Sequence, residues 1–173
     1  MNNKLFSTKE IVLVALFAAV IAISAWVAVP AAIPFTMQTF AIFFTVGTLG
    51  TKCGCTAVFV YILTGCMGLP VFAGFAGGIG VLFSPHGGFI IGFLPAAFVC
   101  GMLSKKTKGT LALTLSMAVG LLICYIMGSA YFAKVSGLDA KSVIFSCIIP
   151  YIIPDILKIF IAAALSQRIK KYV

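Results

Sequence analysis

The sequence predicts an all-α integral membrane protein with six transmembrane helices. Of its 173 residues, 62% are hydrophobic and only 9% are charged, and the mean hydropathy is +1.23. A soluble domain carries about 25% charged residues, so this chain lacks the polar side chains that keep a globular surface in water. Its length fits about six spans with short connections, because a spanning helix takes about 20 residues. We expect residues 1–173 to form a single transmembrane domain.

Prolines, glycines and short polar segments place the six helices. The first begins with a capping-box pattern, because Glu10 follows Ser7 by three residues. The second is short for a full crossing, and the sixth is interrupted at Pro150 and Pro154. No stretch alternates apolar and polar residues over the roughly ten positions of a barrel strand. The expected helices cover about 7–29, 37–50, 53–69, 89–103, 110–133 and 142–170.

The first thirty residues resemble a signal peptide, with two lysines ahead of an apolar run. The run exceeds the roughly 7–15 apolar residues of a signal peptide, and further spans follow it. We therefore interpret it as a retained first helix. The six cysteines lie mostly singly in apolar runs and suit small buried side chains. Cys53 and Cys55 have no second pair and no histidine nearby, so the sequence predicts no metal site.

The basic residues predict the orientation of the chain in the membrane. Twelve basic and three acidic residues give a net charge of +9. Six spans would put both termini and the second and fourth connections on one side. Because lysine and arginine concentrate in cytoplasmic loops, we expect both termini on the cytoplasmic side of a prokaryotic cell membrane. No nucleic-acid surface is predicted. The expected cytoplasmic side holds Lys4, Lys9, Lys52, Lys105, Lys106, Lys108, Arg168, Lys170 and Lys171.

Asp155 and Lys158 are the only ionisable side chains inside an expected span that the topology does not explain. Charged groups at membrane depth are costly and normally face a bundle interior or a wet cavity. A spacing of three residues places both on one helical face. Either the two neutralise each other in a salt bridge, or they hold a ligand that carries N–H donors and an anion. Pro154 favours the ligand site, since proline loosens the preceding helical turn.

Neutral polar and aromatic residues in the expected outer connections are further candidates for the site. Thr36 and Gln38 begin the second helix, where either can also act as a helix cap. The glycine-rich segment 71–88 suits a lid over a small molecule, because glycine permits close backbone approach. Without a ligand it would be a flexible outer loop, but Phe72 and Phe75 favour the lid. His86, the only histidine, fits a solvated or hydrogen-bonded side chain better than a metal ligand.

Small residues recur along one stretch of the first helix. Closely spaced small side chains let membrane helices approach each other. The stretch therefore either packs inside this chain or docks a separate membrane subunit. The residues concerned are Ala15, Ala18, Ala19 and Ala22.

The sequence does not predict an enzyme. It has one histidine and three acidic residues, and neither H-E-x-x-H nor G-x-S-x-G occurs. We expect no catalytic residues and no cofactor.

Several segments together resemble the BioY family of biotin transporters. Pro34-Phe-Thr-Met-Gln38 begins the series, and Pro150-Tyr-Ile-Ile-Pro-Asp-Ile-Leu-Lys158 is similar to the family's signature in its sixth helix. The resemblance spans most of the chain. Between these two segments lie Gly68–Gly74, Gly77–Leu82 and Pro85–Gly92.

This resemblance implies a substrate-binding S subunit of an energy-coupling factor (ECF) transporter with a six-helix S-component bundle. Such subunits capture biotin on the outer side of the membrane. They work with a transmembrane coupling protein and two ATP-binding subunits. A subunit for a different vitamin and a solitary carrier that needs no ATP are the alternatives. Two positions differ from the family pattern, which usually has glycine at Pro154 and threonine at His86.

The resemblance carries Asp155 and Lys158 over as the polar pair of the biotin site. We expect Asp155 to accept a hydrogen bond from a ureido N–H and Lys158 to pair with the carboxylate of the valerate tail. Gln38 would add a neutral hydrogen bond. The other expected contributors to the site are Thr36, Phe35, Phe72, Phe75, Gly77, Gly78 and His86.

Overall fold

The computed structural model describes residues 6–29, 34–105 and 109–172. Lys4, Lys106 and Lys108, which contribute to the predicted orientation, lie outside the described residues. Two short 3-10 turns, Ala73–Phe75 and Ile79–Phe83, precede α3. Within the described residues the elements are α1 (Thr8–Trp26), β1 (Ala28–Val29), β2 (Phe35–Thr36), α2 (Gln38–Cys66), α3 (Gly87–Ser104), α4 (Thr110–Ser136), α5 (Ala140–Cys147) and α6 (Ile149–Ile169).

The long helix α2 is a hairpin of two antiparallel arms, 38–49 and 51–66. Gly50 has φ 75° and ψ −177°, a backbone conformation that glycine adopts without steric cost. The side chain of Gln38 donates a hydrogen bond to the hydroxyl of Tyr61. In a straight helix these residues would be about 34 Å apart, at about 1.5 Å per residue. A Cβ on Gly54 would lie 2.8 Å from the Cα of Val46, so the arms touch just beyond the turn.

The six-helix prediction is confirmed once the two arms are counted separately. Five helices of the described residues are long and apolar enough to cross a membrane, with α2 counted as one. The short helix α5 is the first part of the predicted sixth helix. The chain is therefore an α-helical membrane protein with the predicted helix order.

One end of the bundle gathers the start of α1, the turn of α2 and the ends of α3 and α6. We call this the basic end, because its described basic residues are Lys9, Lys52, Lys105, Arg168, Lys170 and Lys171. Lys134 and Lys141 lie near the α4–α5 connection, at the opposite end. The contacts that join the basic end are Lys52 Nζ to Glu10 Oε1 at 3.7 Å, Thr51 against Gly101, and Gly47 against Ser166.

The predicted capping box of the first helix is confirmed. Ser7 Oγ accepts from the backbone N–H of Glu10 at 3.2 Å, and the Glu10 carboxylate accepts from the N–H of Ser7 at 2.7 Å. The predicted end at Val29 is wrong, because Ala28–Val29 pairs antiparallel with Phe35–Thr36 and the helix ends at Trp26. The prediction of the third helix to residue 69 was three residues too long, since α2 ends at Cys66.

The predicted interruption of the sixth helix is confirmed near Pro150, because the break falls at Ile148, and the interruption predicted at Pro154 is wrong. Ile148 has φ −121° and ψ −58° and separates α5 from α6. Pro150 occupies the first turn of α6, where its missing N–H would have no helical partner. Pro154 removes a single backbone hydrogen bond, and the helix continues through it to Ile169.

Small residues let α3 and α4 pack closely toward the end of the bundle opposite the basic end. A Cβ on Gly128 would lie 2.3 Å from the ring of Phe89, and one on Gly88 would lie 2.2 Å from Tyr131 Cβ. Apolar side chains cover the outside of the bundle, as Ile153 does at 80% exposure. Such side chains suit a surface that faces lipid. The bundle thus combines close packing inside with an apolar exterior.

A candidate ligand-binding cavity

A cavity of about 320 Å³ lies at the end opposite the basic end, beneath the segment between α2 and α3. Its volume falls within the roughly 300–1,000 Å³ of small-molecule sites, which are mostly apolar with a few placed polar groups. Most of its lining is apolar or aromatic. The polar lining residues are Thr36, Gln38, Thr39, Ser84, His86, Tyr125, Tyr151, Asp155 and Lys158.

Asp155 and Lys158 form a buried ion pair in the wall of this cavity. Lys158 Nζ donates to Asp155 Oδ1 at 2.8 Å, across one turn of α6. The two residues are 3% and 7% exposed. A buried charge pair is expensive unless its remaining hydrogen-bonding positions are filled, so the partners of each member decide what the pair can do.

Asp155 accepts hydrogen bonds from two further elements. Tyr125 of α4 donates its hydroxyl to Oδ2 at 2.7 Å, and Thr39 of α2 donates its hydroxyl to Oδ1 at 3.2 Å. A carboxylate offers about four acceptor positions. Three donors therefore leave Asp155 able to accept one more hydrogen bond, from a ligand N–H.

Lys158 is fixed by the strand β2. Its ammonium donates to the backbone carbonyl of Thr36 at 2.7 Å and lies 3.7 Å from the centre of the Phe35 ring. Phe35 in turn stacks on Tyr151, with ring centres 6.0 Å apart. An ammonium has three donors. Two make the short bonds to Thr36 and Asp155, and the third makes a long bond of 3.5 Å to the Thr39 hydroxyl. An anionic ligand can therefore replace the long bond to Thr39 while the two short bonds hold Lys158 in place.

Gln38 and Thr36 form a neutral polar pair next to the ion pair. The Thr36 hydroxyl donates to Gln38 Oε1 at 2.9 Å, and the Gln38 amide donates to the hydroxyl of Tyr61. The ring of Phe72 meets Tyr61 edge-on, with centres 5.6 Å apart. These contacts hold Gln38 and Phe72 in fixed positions on the cavity wall.

Seven of the ten predicted ligand-binding residues line this cavity. Phe75 is one of the three that do not. The Phe75 side chain is 63% exposed and stacks on Trp26, with ring centres 5.1 Å apart. Its backbone has φ 58°, in the left-handed region, which turns the ring outward. Trp26 Nε1 also donates to the carbonyl of Pro70 at 2.9 Å. Phe75 therefore fastens the loop to α1 from outside.

Gly77 and Gly78 also lie outside the cavity lining, where they let the loop pack against the end of α2. A Cβ on Gly77 would lie 2.4 Å from the carbonyl oxygen of Leu69, so no larger residue fits there. The N–H of Gly78 donates to the carbonyl of Gly65 at 2.7 Å. The glycines are needed because the loop folds back against the end of α2, and neither is among the residues that line the cavity.

His86 lies at the cavity wall immediately before α3. Its Nδ1 is buried and has no hydrogen-bond partner among the described residues. Burial lowers the pKa of His86 below its usual value. The neutral imidazole is therefore the form that this wall favours.

Sequence reasoning missed two polar residues of the site that touch Asp155. Thr39 directly follows Gln38, so the start of the second helix was a signal that could have found it. Tyr125 lies in the middle of an apolar span and reaches Asp155 from 30 residues away. Nothing in the local pattern sets it apart from a tyrosine that faces lipid. Tyr151, which stacks on Phe35, also escaped notice.

The four alanines of α1 fall into two pairs. Ala18 and Ala22 are 8% and 9% exposed and belong to the core of this chain. Ala15 and Ala19 are exposed. The first pair therefore packs internally, and only the second pair is open to another subunit.

Comparisons with known proteins agree with this architecture. A solved structure described as the S-component for biotin from an ECF-type ABC transporter superposes with a TM-score of 0.89 at 23% identity. The match covers 99% of this chain and 94% of the other. At that identity the likeness shows a shared fold.

Named relatives are similar over nearly the whole chain. The biotin transporter BioY of Thermotoga maritima is 37% identical over 164 residues, which cover 94% of this chain and 96% of the relative. The probable biotin transporter BioY of Pyrococcus horikoshii is 36% identical, with the same coverage of both chains. The model of the BioY family matches residues 1–173. The chain therefore belongs to the BioY family.

Proposed function

We propose that this chain binds biotin in the cavity beside Asp155 and Lys158 and is the substrate-binding subunit of an ECF-type transporter. The observation that carries the proposal is a buried, opposite-charged pair in an otherwise mostly apolar cavity of about 320 Å³. Membership of the BioY family and relatives named as biotin transporters support it. The whole chain then acts as one transmembrane domain.

The lining residues match the chemistry of biotin group by group. The ureido ring offers two N–H donors, and Asp155 has one acceptor position left after its three bonds. The valerate tail ends in a carboxylate, and Lys158 can exchange its long bond to Thr39 for a bond to that carboxylate. Phe35 and Phe72 supply apolar surface for the thioether ring and the alkyl chain, and Gln38 is held beside the pair as a neutral partner.

The proposed orientation places the basic end on the cytoplasmic side. Lysine and arginine concentrate in cytoplasmic loops, and the described basic residues gather at one end of the bundle. The cavity then opens toward the outside, where a vitamin is captured. Both termini are cytoplasmic in this arrangement.

Energy for uptake must come from other subunits in this proposal. The phosphate-loop pattern G-x-x-x-x-G-K-[ST] does not occur in the sequence. A coupling membrane subunit and two ATP-binding subunits would supply ATP hydrolysis. Ala15 and Ala19, exposed on α1, are the proposed contact, since small residues permit close helix approach.

Biotin binding is tested by isothermal titration of the purified chain in detergent. We expect biotin to bind tightly and thiamine and riboflavin not to bind or compete. Asp155→Asn should weaken biotin binding by about tenfold or more, because a hydrogen bond to a charged group is worth about 1.5–3 kcal/mol. Tyr172→Phe, an exposed change, serves as the control. Equal affinity of Asp155→Asn and the unchanged chain would refute the site.

The subunit contact is tested by co-purification with the coupling subunit. Replacement of Ala15 and Ala19 by leucine should reduce recovery of the complex while biotin affinity stays unchanged. Ala130→Leu, at an exposed alanine of α4, is the matched control and should leave the complex intact. Full recovery of the complex with both alanines replaced would place the contact elsewhere.

A further inference from the structure

A second cavity, of about 340 Å³, lies at the basic end of the bundle. It is formed where the ends of α3 and α6 meet the start of α4 and the first arm of α2. Lys170, Lys171 and Gln167 line it from α6, and Ser104 and Gly109 line it from the α3–α4 connection. The biotin site is at the other end of the bundle, so this cavity has no part in that proposal.

The charged side chains that line the cavity are both basic. Lys170 and Lys171 line it from the end of α6, and none of its lining residues is acidic. Among the described residues, Glu10 pairs with Lys52 and Asp155 pairs with Lys158, and Asp139 precedes α5 at the opposite end of the bundle. The lining of the cavity therefore carries a net positive charge.

The start of α4 adds backbone donors of the same sign. Gly109 precedes the helix with φ 91°, and no side chain caps the first turn. The first N–H groups of a helix have no helical acceptors, and the helix dipole makes them attractive to anions. Gly109 and Leu113, at the start of α4, line the same cavity as the two lysines.

The surroundings of the cavity favour a ligand that is part of the bilayer. Leu111 and Leu115, on the next turns of α4, are 72% and 61% exposed. An anion in the cavity therefore lies at the height where apolar helix surface gives way to lysines. That is where phospholipid headgroups lie, and basic pockets between transmembrane helices bind anionic headgroups.

We propose that this cavity binds the phosphate headgroup of an anionic phospholipid, held by Lys170, Lys171 and the start of α4. The acyl chains then lie along the apolar surface of α4. This site is separate from the biotin cavity. One lipid molecule would contact the ends of α3 and α6 and the start of α4.

Native mass spectrometry of the whole chain tests the proposal. The chain is purified in detergent that contains phosphatidylglycerol and phosphatidylcholine in equal amounts, and the retained lipids are counted. We expect one retained phosphatidylglycerol and no retained phosphatidylcholine. The double change Lys170→Gln and Lys171→Gln should weaken retention about 30-fold, because each basic residue near an anionic surface contributes about 1 kcal/mol.

Two control variants distinguish a specific lipid-binding site from general electrostatic attraction of anionic lipid to the basic end. Lys105→Gln with Arg168→Gln removes two charges at the same end from residues that do not line the cavity. Lys134→Gln with Lys141→Gln removes two charges at the opposite end. Both should keep the lipid, and biotin titration of each sample shows that the fold is intact. Equal loss in the Lys105/Arg168 and Lys170/Lys171 variants would overturn the proposal.

A soluble anion and a protein partner give different results. If glycerol 3-phosphate displaces the lipid at comparable concentration, the cavity recognises a water-soluble phosphate and the lipid proposal fails. If no lipid is retained and the Lys170/Lys171 variant instead loses the coupling subunit, the surface is a protein contact and the proposal also fails.

Discussion

The hydroxyl of Tyr125 donates a 2.7 Å hydrogen bond to Asp155, which joins α4 to α6 across the cavity wall. This bond occupies Asp155 Oδ2, while Lys158 and Thr39 occupy Oδ1. The carboxylate is thereby held in one orientation before a ligand arrives. Tyr125 is thus a positioning residue for the proposed biotin site.

Tyr125→Phe should weaken biotin binding by about tenfold, because a hydrogen bond to a charged group is worth about 1.5–3 kcal/mol. The phenyl ring keeps the packing, so the protein should still fold. Isothermal titration measures the effect, and Tyr172→Phe is the control at a residue that is 86% exposed. Unchanged affinity would show that Lys158 and Thr39 alone orient the carboxylate.

His86 should make the stability of the protein fall as the pH drops from about 7.5 to 5.5. Burial lowers the pKa of His86 in the folded chain, while the unfolded chain keeps a value of about 6.5. The unfolded state therefore binds a proton more readily below that pH, and folding loses free energy. As this is the only histidine, His86→Thr should make the stability of the protein nearly independent of pH in this range.

Thermal unfolding in detergent across this pH range measures the effect of His86. Both proteins should have similar melting temperatures at pH 7.5, and only the unchanged chain should lose stability toward pH 5.5. An equally steep decline in His86→Thr would mean that another group titrates.

Much of the fold followed from the sequence, because helix breakers and charge are local features. The capping box at Ser7 and the gathering of basic residues at one end are examples. The pairing of residues 28–29 with 35–36 did not follow, since a two-residue strand has no periodicity to detect. The break near Pro150 followed from the sequence, since proline cannot continue a preceding helix, whereas Pro154 did not break α6.

The charged residues of the candidate site could be predicted from the sequence, but the residues that helix packing brings to the site could not. Asp155 and Lys158 stood out because ionisable groups are rare at membrane depth. Tyr125 depends on the rotation of α4 relative to α6, which no local pattern records. Phe75 was expected in the cavity because of its aromatic character, whereas its ring stacks on Trp26 and is not among the lining residues.

The stack of Trp26 on Phe75 should control how fast biotin leaves. Phe75→Ala removes the stack and loosens the loop above the cavity, so we expect release to become several-fold faster. Trp26 is the only tryptophan, and its emission should shift to longer wavelength when the ring loses its cover. Stopped-flow fluorescence measures both quantities. An unchanged release rate would show that the loop does not close the cavity.

Gly128→Ala should reduce both stability and biotin affinity. The added methyl group would lie 2.3 Å from the ring of Phe89, which lines the cavity. Overpacking costs about 1–3 kcal/mol, more than the roughly 1 kcal/mol that alanine gains over glycine in a helix. Gly80→Ala is the matched control, since nothing lies within 4 Å of a Cβ there. Equal behaviour of the two variants in thermal unfolding and titration would contradict this packing.

The most direct test of the biotin site compares biotin with biotinamide, which lacks the negative charge of the valerate tail. Both are titrated into the unchanged chain and into Lys158→Met. The unchanged chain should bind biotin about 10- to 100-fold more tightly than biotinamide, the range expected for a hydrogen bond to a charged group. Lys158→Met should bind both weakly and with similar affinity. If the unchanged chain does not distinguish them, or if Lys158→Met distinguishes them equally well, Lys158 does not bind the carboxylate.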